Sequence, residues 1–308
     1  MLGGLSVIVN LGNTCYINSI IQCLSHNSSF RQDLMSFKEN GMLMGEIIKL
    51  IKNLWLENCI IRPRSFKAKI DQKMVKYKGV DKNDASEFFI DLVNILQEET
   101  IKVTSKEVTL APSPYSSKFY KMAEKNWVES LKQNTFITDN FYGQLERRFV
   151  CSDCENSFRK YEPFLSLDVG VAKDNLTVQD LLKNFFSKDY VYLECENCGS
   201  SEKDTEHEVT TEIIKLPSTL TLVFKNFNKY NIDADETLDM SGHTLLSDQT
   251  VFYKLRSLIT FSNDHYISII KKNKYWVMFD DTSLKKIHFS KLDTSKFYIL
   301  FYSKAVVE

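Results

Sequence analysis

A cysteine at 15, a histidine at 265 and adjacent aspartates at 280 and 281 are the residues of this 308-residue sequence whose surroundings suit nucleophilic chemistry. The cysteine lies in Val9-Asn10-Leu11-Gly12-Asn13-Thr14-Cys15-Tyr16-Ile17-Asn18-Ser19. Beyond it Ile17, Ile20, Ile21 and Leu24 recur at i, i+3, i+4 and i+7, the apolar stripe of a helix. Asn13 and Thr14 are capping types and Gly12 permits a tight turn, so Cys15 is expected on the first helical turn. Unpaired backbone N–H groups and the positive end of the helix dipole favour a thiolate there. Asn10, five residues upstream, carries an amide able to face the sulfur and donate to a developing oxyanion. A lone cysteine on a helix is most often a small buried hydrophobe; a histidine paired with an acid elsewhere argues for a nucleophile.

That pair is found late in the chain. Phe261 to Ile270, a Lys271–Lys274 turn and Tyr275 to Asp281 read as a hairpin of two apolar strands. His265 begins the first strand and Asp280 ends the second, so antiparallel pairing sets them side by side. Such a pair takes a thiol proton and holds the imidazole in one tautomer. Asp280 and Asp281 face opposite ways along a strand and compete for the orienting role. His26, His207, His243 and His288 lack this pattern and are read as surface groups.

Two further pairs, Cys151-Ser152-Asp153-Cys154 and Cys195-Glu196-Asn197-Cys198, have metal-ligand spacing and are separated by 40 residues. Together they make a closed four-thiolate site, for which Zn2+ is the usual ion; with no open position, it is structural. The long gap means that the intervening chain leaves, folds and returns. Phe164 to Val171 alternates as a strand, and Thr177 to Phe186 is a short amphipathic helix.

The positioning elements divide the chain. Met42 to Leu56 is helical, with Ile47, Ile48, Ile51, Leu54 and Trp55 on one side, and is closed off by Pro63. Ser65 suits the cap of a short helix carrying Phe66 and Ile70. Asp84 opens a stronger helix with Phe88, Leu92, Ile95 and Leu96, and Asp84 with Glu87 fits a capping box. Residues 101–115, with Pro112 and Pro114, read as a loop, and Ser116 to Leu131 as helix. From Phe141 the period shifts to two, and Leu216 to Phe224 and Phe297 to Tyr302 are apolar strands. A helix-rich half followed by a strand-rich half predicts an α+β fold.

Composition sets the frame. Apolar residues at 43% and aromatics at 12% indicate a globular chain. A net charge of −1 implies neither a nucleic-acid nor a membrane partner. No secretory leader follows Met1 and no run of 18 apolar residues occurs, so an intracellular protein with reduced thiols is expected. The cysteine segment begins so near Met1 that no N-terminal accessory domain is expected.

NLGNTCYINSIIQCL resembles the cysteine box of the ubiquitin-specific proteases, a class of deubiquitinating thiol peptidases. The segment around His265 resembles their histidine box, and the likeness runs in order over nearly the whole chain. It implies a papain-like cysteine peptidase with a helical thumb (about 1–140), zinc-tipped fingers (about 143–160 and 190–215) and a β palm (about 161–189 and 216–308). It implies ubiquitin and ubiquitinated proteins as partners of a monomeric enzyme that cuts after the ubiquitin C-terminal glycine. Cys15 is then the nucleophile, His265 the base and Asp280 the orienting acid, with Asp281 supporting the oxyanion site or the orientation. Asp84-Ala85-Ser86-Glu87-Phe88 is similar to a second box whose polar residues line the channel for the basic ubiquitin tail. Asp84, Glu87 and Tyr266 are thereby implied as substrate-binding, with Asp84 meeting an arginine. The chain departs from the family at Lys82 and Asn83 (glutamines), Ser86 (Gln) and Asp264 (Gly), and its loop before His265 is short. Three rival readings are the same chemistry on another ubiquitin-like modifier, an inactive zinc-dependent ubiquitin-binding scaffold, and a zinc-ribbon module with a redox-active Cys15.

Overall fold

The computed structural model describes residues 3–37, 42–56, 58–104, 118–198, 204–245 and 250–305. Seven helices come first: α1 (Cys15–His26), α2 (Ser28–Ser36), α3 (Leu43–Leu56), α4 (Arg64–Lys73), α5 (Ala85–Thr104), α6 (Lys118–Leu131) and α7 (Phe136–Phe141). Among them only the short strands β1 (Val7–Ile8) and β2 (Ile60–Ile61) pair, in parallel. Strands then dominate: β3 (Gly143–Cys151), β4 (Ser157–Phe164), β5 (Leu167–Gly170), β6 (Leu176–Thr177), β7 (Asp189–Leu193), β8 (Thr205–Lys215) and β9 (Thr219–Lys225). They continue as β10 (Ile232–Asp233), β11 (Thr237–Asp239), β12 (Phe252–Ser262), β13 (His265–Lys272), β14 (Tyr275–Asp280), β15 (Ser283–Ile287) and β16 (Phe297–Lys304). One helix, α8 (Val178–Phe185), interrupts them, capped by Thr177. The order is the expected α+β division.

Eight strands form one sheet in the order β15-β14-β13-β12-β16-β9-β5, with β11 also on β12. Its alternation builds two apolar cores. Val223, Ile259, Ile299 and Phe301 face the helices, packing with Ile17, Ile20, Phe88 and Leu92. Their neighbours Leu222, Phe224, Leu258, Leu300 and Tyr302 face the other way, onto Leu181 and Leu182 of α8. Both faces are covered, which is why these strands read as continuous apolar runs. A second sheet, β4-β3-β8-β7, carries the cysteine pairs at one end. It spans 143–164 and 189–215, slightly wider than the expected 143–160 and 190–215.

Helix α1 packs against α2, α3 and α5 and against β12, β13 and β14. Burial therefore extends beyond the apolar stripe to every residue from Cys15 to Ser25. Several of its polar groups find internal partners, whereas Asn18 Oδ1 and Gln22 Oε1 are buried without one. Gln22 Nε2 donates to the Ser6 carbonyl at 2.9 Å, and Ser25 Oγ to the Gln22 carbonyl at 2.9 Å.

Several local expectations are corrected. Helix α4 starts one residue before Ser65, with Pro63 at the N-cap position, and the Ser65 hydroxyl bonds Glu46. Helix α5 absorbs 101–104, so those four residues are not loop; the rest of that stretch, with Pro112 and Pro114, lies outside the described residues. The turn expected over Lys271–Lys274 is only two residues, because Lys272 pairs with Tyr275. His26 is half-buried between Trp55 (5.3 Å) and Phe279 (5.4 Å), with Nε2 2.9 Å from the Gly4 carbonyl. Burial drives its pKa down to about 3, so the ring is neutral. His207 is 1% exposed on β8. His207 is a core residue and His26 is half-buried, both placed by packing partners that local sequence does not display. His243 stacks on Phe186 at 4.6 Å, and only His288 is fully exposed as expected.

Candidate active site

The loop before α1 is built by Asn10. Its Oδ1 accepts the backbone N–H groups of Gly12 and Thr14, each at 3.0 Å. Gly12 (φ 110°) and Asn13 (φ 50°) take left-handed conformations, which glycine and asparagine tolerate best. Thr14 stands at the N-cap position, but its hydroxyl faces back, accepting from Leu11 N–H at 2.9 Å. No side chain caps α1, contrary to expectation, so its first N–H groups stay available beside Cys15. Asn13 Nδ2 donates to the Val80 carbonyl at 2.8 Å, tying the loop to the segment before α5.

Cys15 is 6% exposed. Burial raises its pKa above the ordinary thiol value; the Tyr266 N–H pulls it down, the Asp281 carboxylate pushes it up, and the Tyr16 and Cys15 N–H groups pull it down. The donors expected from the helix start are present, yet burial and Asp281 outweigh them. The net direction is upward, which favours the protonated thiol.

His265 has a carboxylate partner. Its Nε2 lies 2.7 Å from Asp280 Oδ1. The ladder runs from Lys272↔Tyr275 to Ser268↔Phe279, so one further step sets Asp280 opposite Ile267, on the face His265 shares. The pairing is thus diagonal, not directly side by side. With Nε2 held by Asp280, Nδ1 is the ring nitrogen that Asp280 does not engage. Ser262 pairs with His265 across a two-residue turn, Asn263 (φ 50°) and Asp264 (φ 60°). Both φ values are positive, the signature of a type I′ turn, which accepts Asp where the family has Gly. Asp264 and Tyr266, the neighbours of His265, line a cleft of about 220 Å³ together with Cys15, Tyr16, Lys82 and Asp84.

Asp281 lies just past β14, in the two-residue turn before β15 with φ 47°, and faces elsewhere. Its Oδ2 accepts from Asn10 Nδ2 at 2.9 Å and its Oδ1 from Asn18 Nδ2 at 2.8 Å. The amide expected to face the sulfur therefore gives one of its two hydrogens to Asp281. Asn18, 4% exposed, was not singled out by the sequence reading. Its signal was a polar residue one helical turn past Cys15 on a helix with no wet face. Replacing Asp281 with Asn removes an anion near the sulfur, so the Cys15 pKa falls and more thiolate is present at neutral pH. Iodoacetamide is expected to alkylate Cys15 about two- to fivefold faster at pH 7.5 in Asp281→Asn, with the rate still rising toward alkaline pH. Slower alkylation in the variant refutes the electrostatic assignment.

Asp84 is the N-cap of α5. Its Oδ1 accepts from the Ser86 and Glu87 N–H groups at 2.8 and 3.0 Å, and its Oδ2 from the hydroxyls of Tyr298 (2.6 Å) and Tyr266 (3.4 Å). Glu87 does not complete the capping box; it pairs with Lys76 and is absent from the cleft lining. Of the three residues implied to bind substrate, Asp84 and Tyr266 reach the cleft.

The four cysteines converge at the ends of β3 and β7. Sγ atoms of Cys151 and Cys198, and of Cys154 and Cys195, are 3.6 Å apart, and all four lie within 4.8 Å of one another. The Cys154 backbone N–H holds the Cys151 thiol down, to about 6, whereas the Cys154 and Cys195 sulfurs push Cys198 up. The set can hold a metal ion.

Comparison with known proteins agrees with this geometry. A family model described as ubiquitin carboxyl-terminal hydrolase matches residues 7–302. "Ubiquitin carboxyl-terminal hydrolase 2" of Rattus norvegicus is 27% identical over 341 residues, covering 98% of this chain and 54% of its own length. The Bos taurus protein of the same name is 26% identical over 338 residues, covering 98% and 55%. The chain spans about half the length of these curated relatives. Among solved structures, a chain of the SAGA Ubp8/Sgf11/Sus1/Sgf73 DUB module bound to ubiquitin aldehyde superposes with a TM-score of 0.76 at 21% identity, over 99% of this chain and 70% of its own. By sequence and by fold, the chain belongs to the ubiquitin carboxyl-terminal hydrolase family, of the ubiquitin-specific protease type.

Proposed function

We propose that the chain is a deubiquitinating thiol peptidase that hydrolyses the isopeptide or peptide bond after the C-terminal glycine of ubiquitin. One observation carries the reading: a single cleft holds Cys15 and both neighbours of a His265 already bonded to Asp280. Asp280 keeps the imidazole oriented through Nε2, and Nδ1 takes the thiol proton. The sulfur attacks the carbonyl, and the Cys15 N–H and the second amide hydrogen of Asn10 receive the oxyanion. The imidazolium protonates the leaving amine; His265 then deprotonates the water that releases the thioester. Asp281 positions Asn10 from behind.

We assign Zn2+ to the four cysteines. Zn–S bonds of about 2.3 Å set sulfurs of a tetrahedron about 3.8 Å apart, close to the 3.6 Å separations found here. The metal would pin the turn after β3 to the turn after β7. Helices up to about residue 140 are the thumb, the four-stranded sheet the fingers, and the large sheet with α8 the palm. The partners are ubiquitin and ubiquitinated proteins, met by a monomer inside the cell. Among the described residues no helix is long and apolar enough to cross a membrane.

Ubiquitin carrying a C-terminal propargylamide tests the reading. Wild-type protein is expected to gain the mass of one ubiquitin, and Cys15→Ala none. Capture by a SUMO or NEDD8 probe alone moves the substrate to another modifier. Ubiquitin binding without capture, and with diubiquitin left uncut, supports an inactive scaffold.

A further inference from the structure

Lys82 Nζ lies 2.9 Å from Asp264 Oδ2. Lys82 comes from the segment before α5 and Asp264 from the turn between β12 and β13, and both line the cleft that holds Cys15. The pair therefore joins the helical wall of the cleft to its sheet wall. An extended peptide reaching the sulfur has to pass two side chains that are 61% and 68% exposed. Both are positions at which the sequence departs from the family it resembles.

We infer that Asp264 is the acid that receives a cationic side chain of the incoming substrate tail, with Lys82 holding its place in the free enzyme. Two carboxylates line the cleft, Asp84 and Asp264. Asp84 has both oxygens engaged by two backbone N–H groups and two tyrosine hydroxyls, and turning it would uncap α5. The role that the family resemblance gives Asp84 is therefore poorly served by a carboxylate already surrounded by donors. Asp264 has a single lysine as its partner among the described residues. An exposed ammonium on a flexible stem is weakly held. A guanidinium offers two parallel hydrogen bonds to the same carboxylate and displaces it. The occupant is an extended peptide with a basic side chain close to its reacting end.

This inference rests on the proposed ubiquitin substrate, whose tail is basic, and is tested by steady-state hydrolysis of ubiquitin–aminomethylcoumarin. Asp264→Asn is expected to raise KM about five- to tenfold at low salt with little change in kcat. Asn accepts a positive φ at least as readily as Asp, so the turn survives; an unchanged Tm verifies this. Lys82→Gln removes the placeholder and is expected to lower KM about two- to threefold. Asp264→Glu should recover part of the affinity, and added salt should erase the difference between wild type and Asp264→Asn. If both charge-removing variants lower KM, the pair is only a bar across the cleft and the inference is overturned. If neither moves KM, it is overturned as well. Wild-type protein that leaves ubiquitin–aminomethylcoumarin intact overturns the substrate reading together with this one, whereas turnover with the wrong variant pattern sinks this one alone.

Discussion

His265→Ala is expected to lower kcat/KM for ubiquitin–aminomethylcoumarin by about 10³- to 10⁴-fold, on the order of 4–5 kcal/mol of transition-state stabilisation. The size follows from the state of the sulfur. Burial and the Asp281 charge hold the Cys15 pKa above the ordinary thiol value, so little thiolate exists at neutral pH without a base. Asp280 acts one step further back. It accepts from Nε2 at 2.7 Å, and an asparagine carbonyl can accept the same hydrogen bond. Asp280→Asn should therefore lie within about tenfold of wild type, and Asp280→Ala fall by about 10²-fold. A His265→Ala protein that retains a tenth of the activity would mean that the thiol is ionised by other means. Equal losses in Asp280→Asn and Asp280→Ala would show that charge, not tautomer control, is what the acid supplies.

Stripping the proposed zinc is the second large perturbation. Two turns tied through cysteine sulfurs as well as through β8 lose the first of these ties, and four thiols within 4.8 Å are left to repel or oxidise. Structural zinc contributes about 10–16 kcal/mol in isolated small domains; a loss here of about 4 kcal/mol would lower Tm by about 10 °C. The same result is expected of Cys195→Ser. Ubiquitin affinity should fall at least about tenfold, because one end of the four-stranded sheet loosens. Cys15 belongs to a different part of the fold, so its alkylation by iodoacetamide should stay within about twofold. Differential scanning fluorimetry and titration of ubiquitin onto chelated protein measure both effects. Retained Tm and retained affinity after complete zinc removal would show that the sulfurs hold no structural ion.

What the sequence disclosed was whatever short-range spacing controls. Two C-x-x-C pairs, an apolar repeat behind Cys15 and a hairpin ending in Asp280 are local patterns, and the structure contains all three. Partners brought together by folding left no such mark. Asp84 read correctly as an N-cap, but Tyr298 and Tyr266 reach it across 214 and 182 residues and change what its carboxylate can do. Glu87 fitted a capping box by spacing, yet Lys76 outcompeted the cap. The burial of His207 is not legible in the sequence, because a histidine's type says little about depth. Burial was underestimated for α1, where the apolar stripe suggested one buried face and the fold buries both. The same oversight hid Asn18.

The bonds that fix Asp281 join it to Asn10 and Asn18 over 271 and 263 residues. Translation at about 5–20 residues per second leaves roughly 12–50 s between the emergence of α1 and that of β13 and β14. Through that interval a helix destined for enclosure has no strand to lie against, and Asn10 and Asn18 lack their carboxylate partner. The contacts of Asp281 with Asn10 and Asn18 therefore wait for a segment more than 260 positions downstream. The cost is prolonged exposure of sticky surface, so biosynthesis of this protein should lean on holdase chaperones more heavily than its modest size suggests.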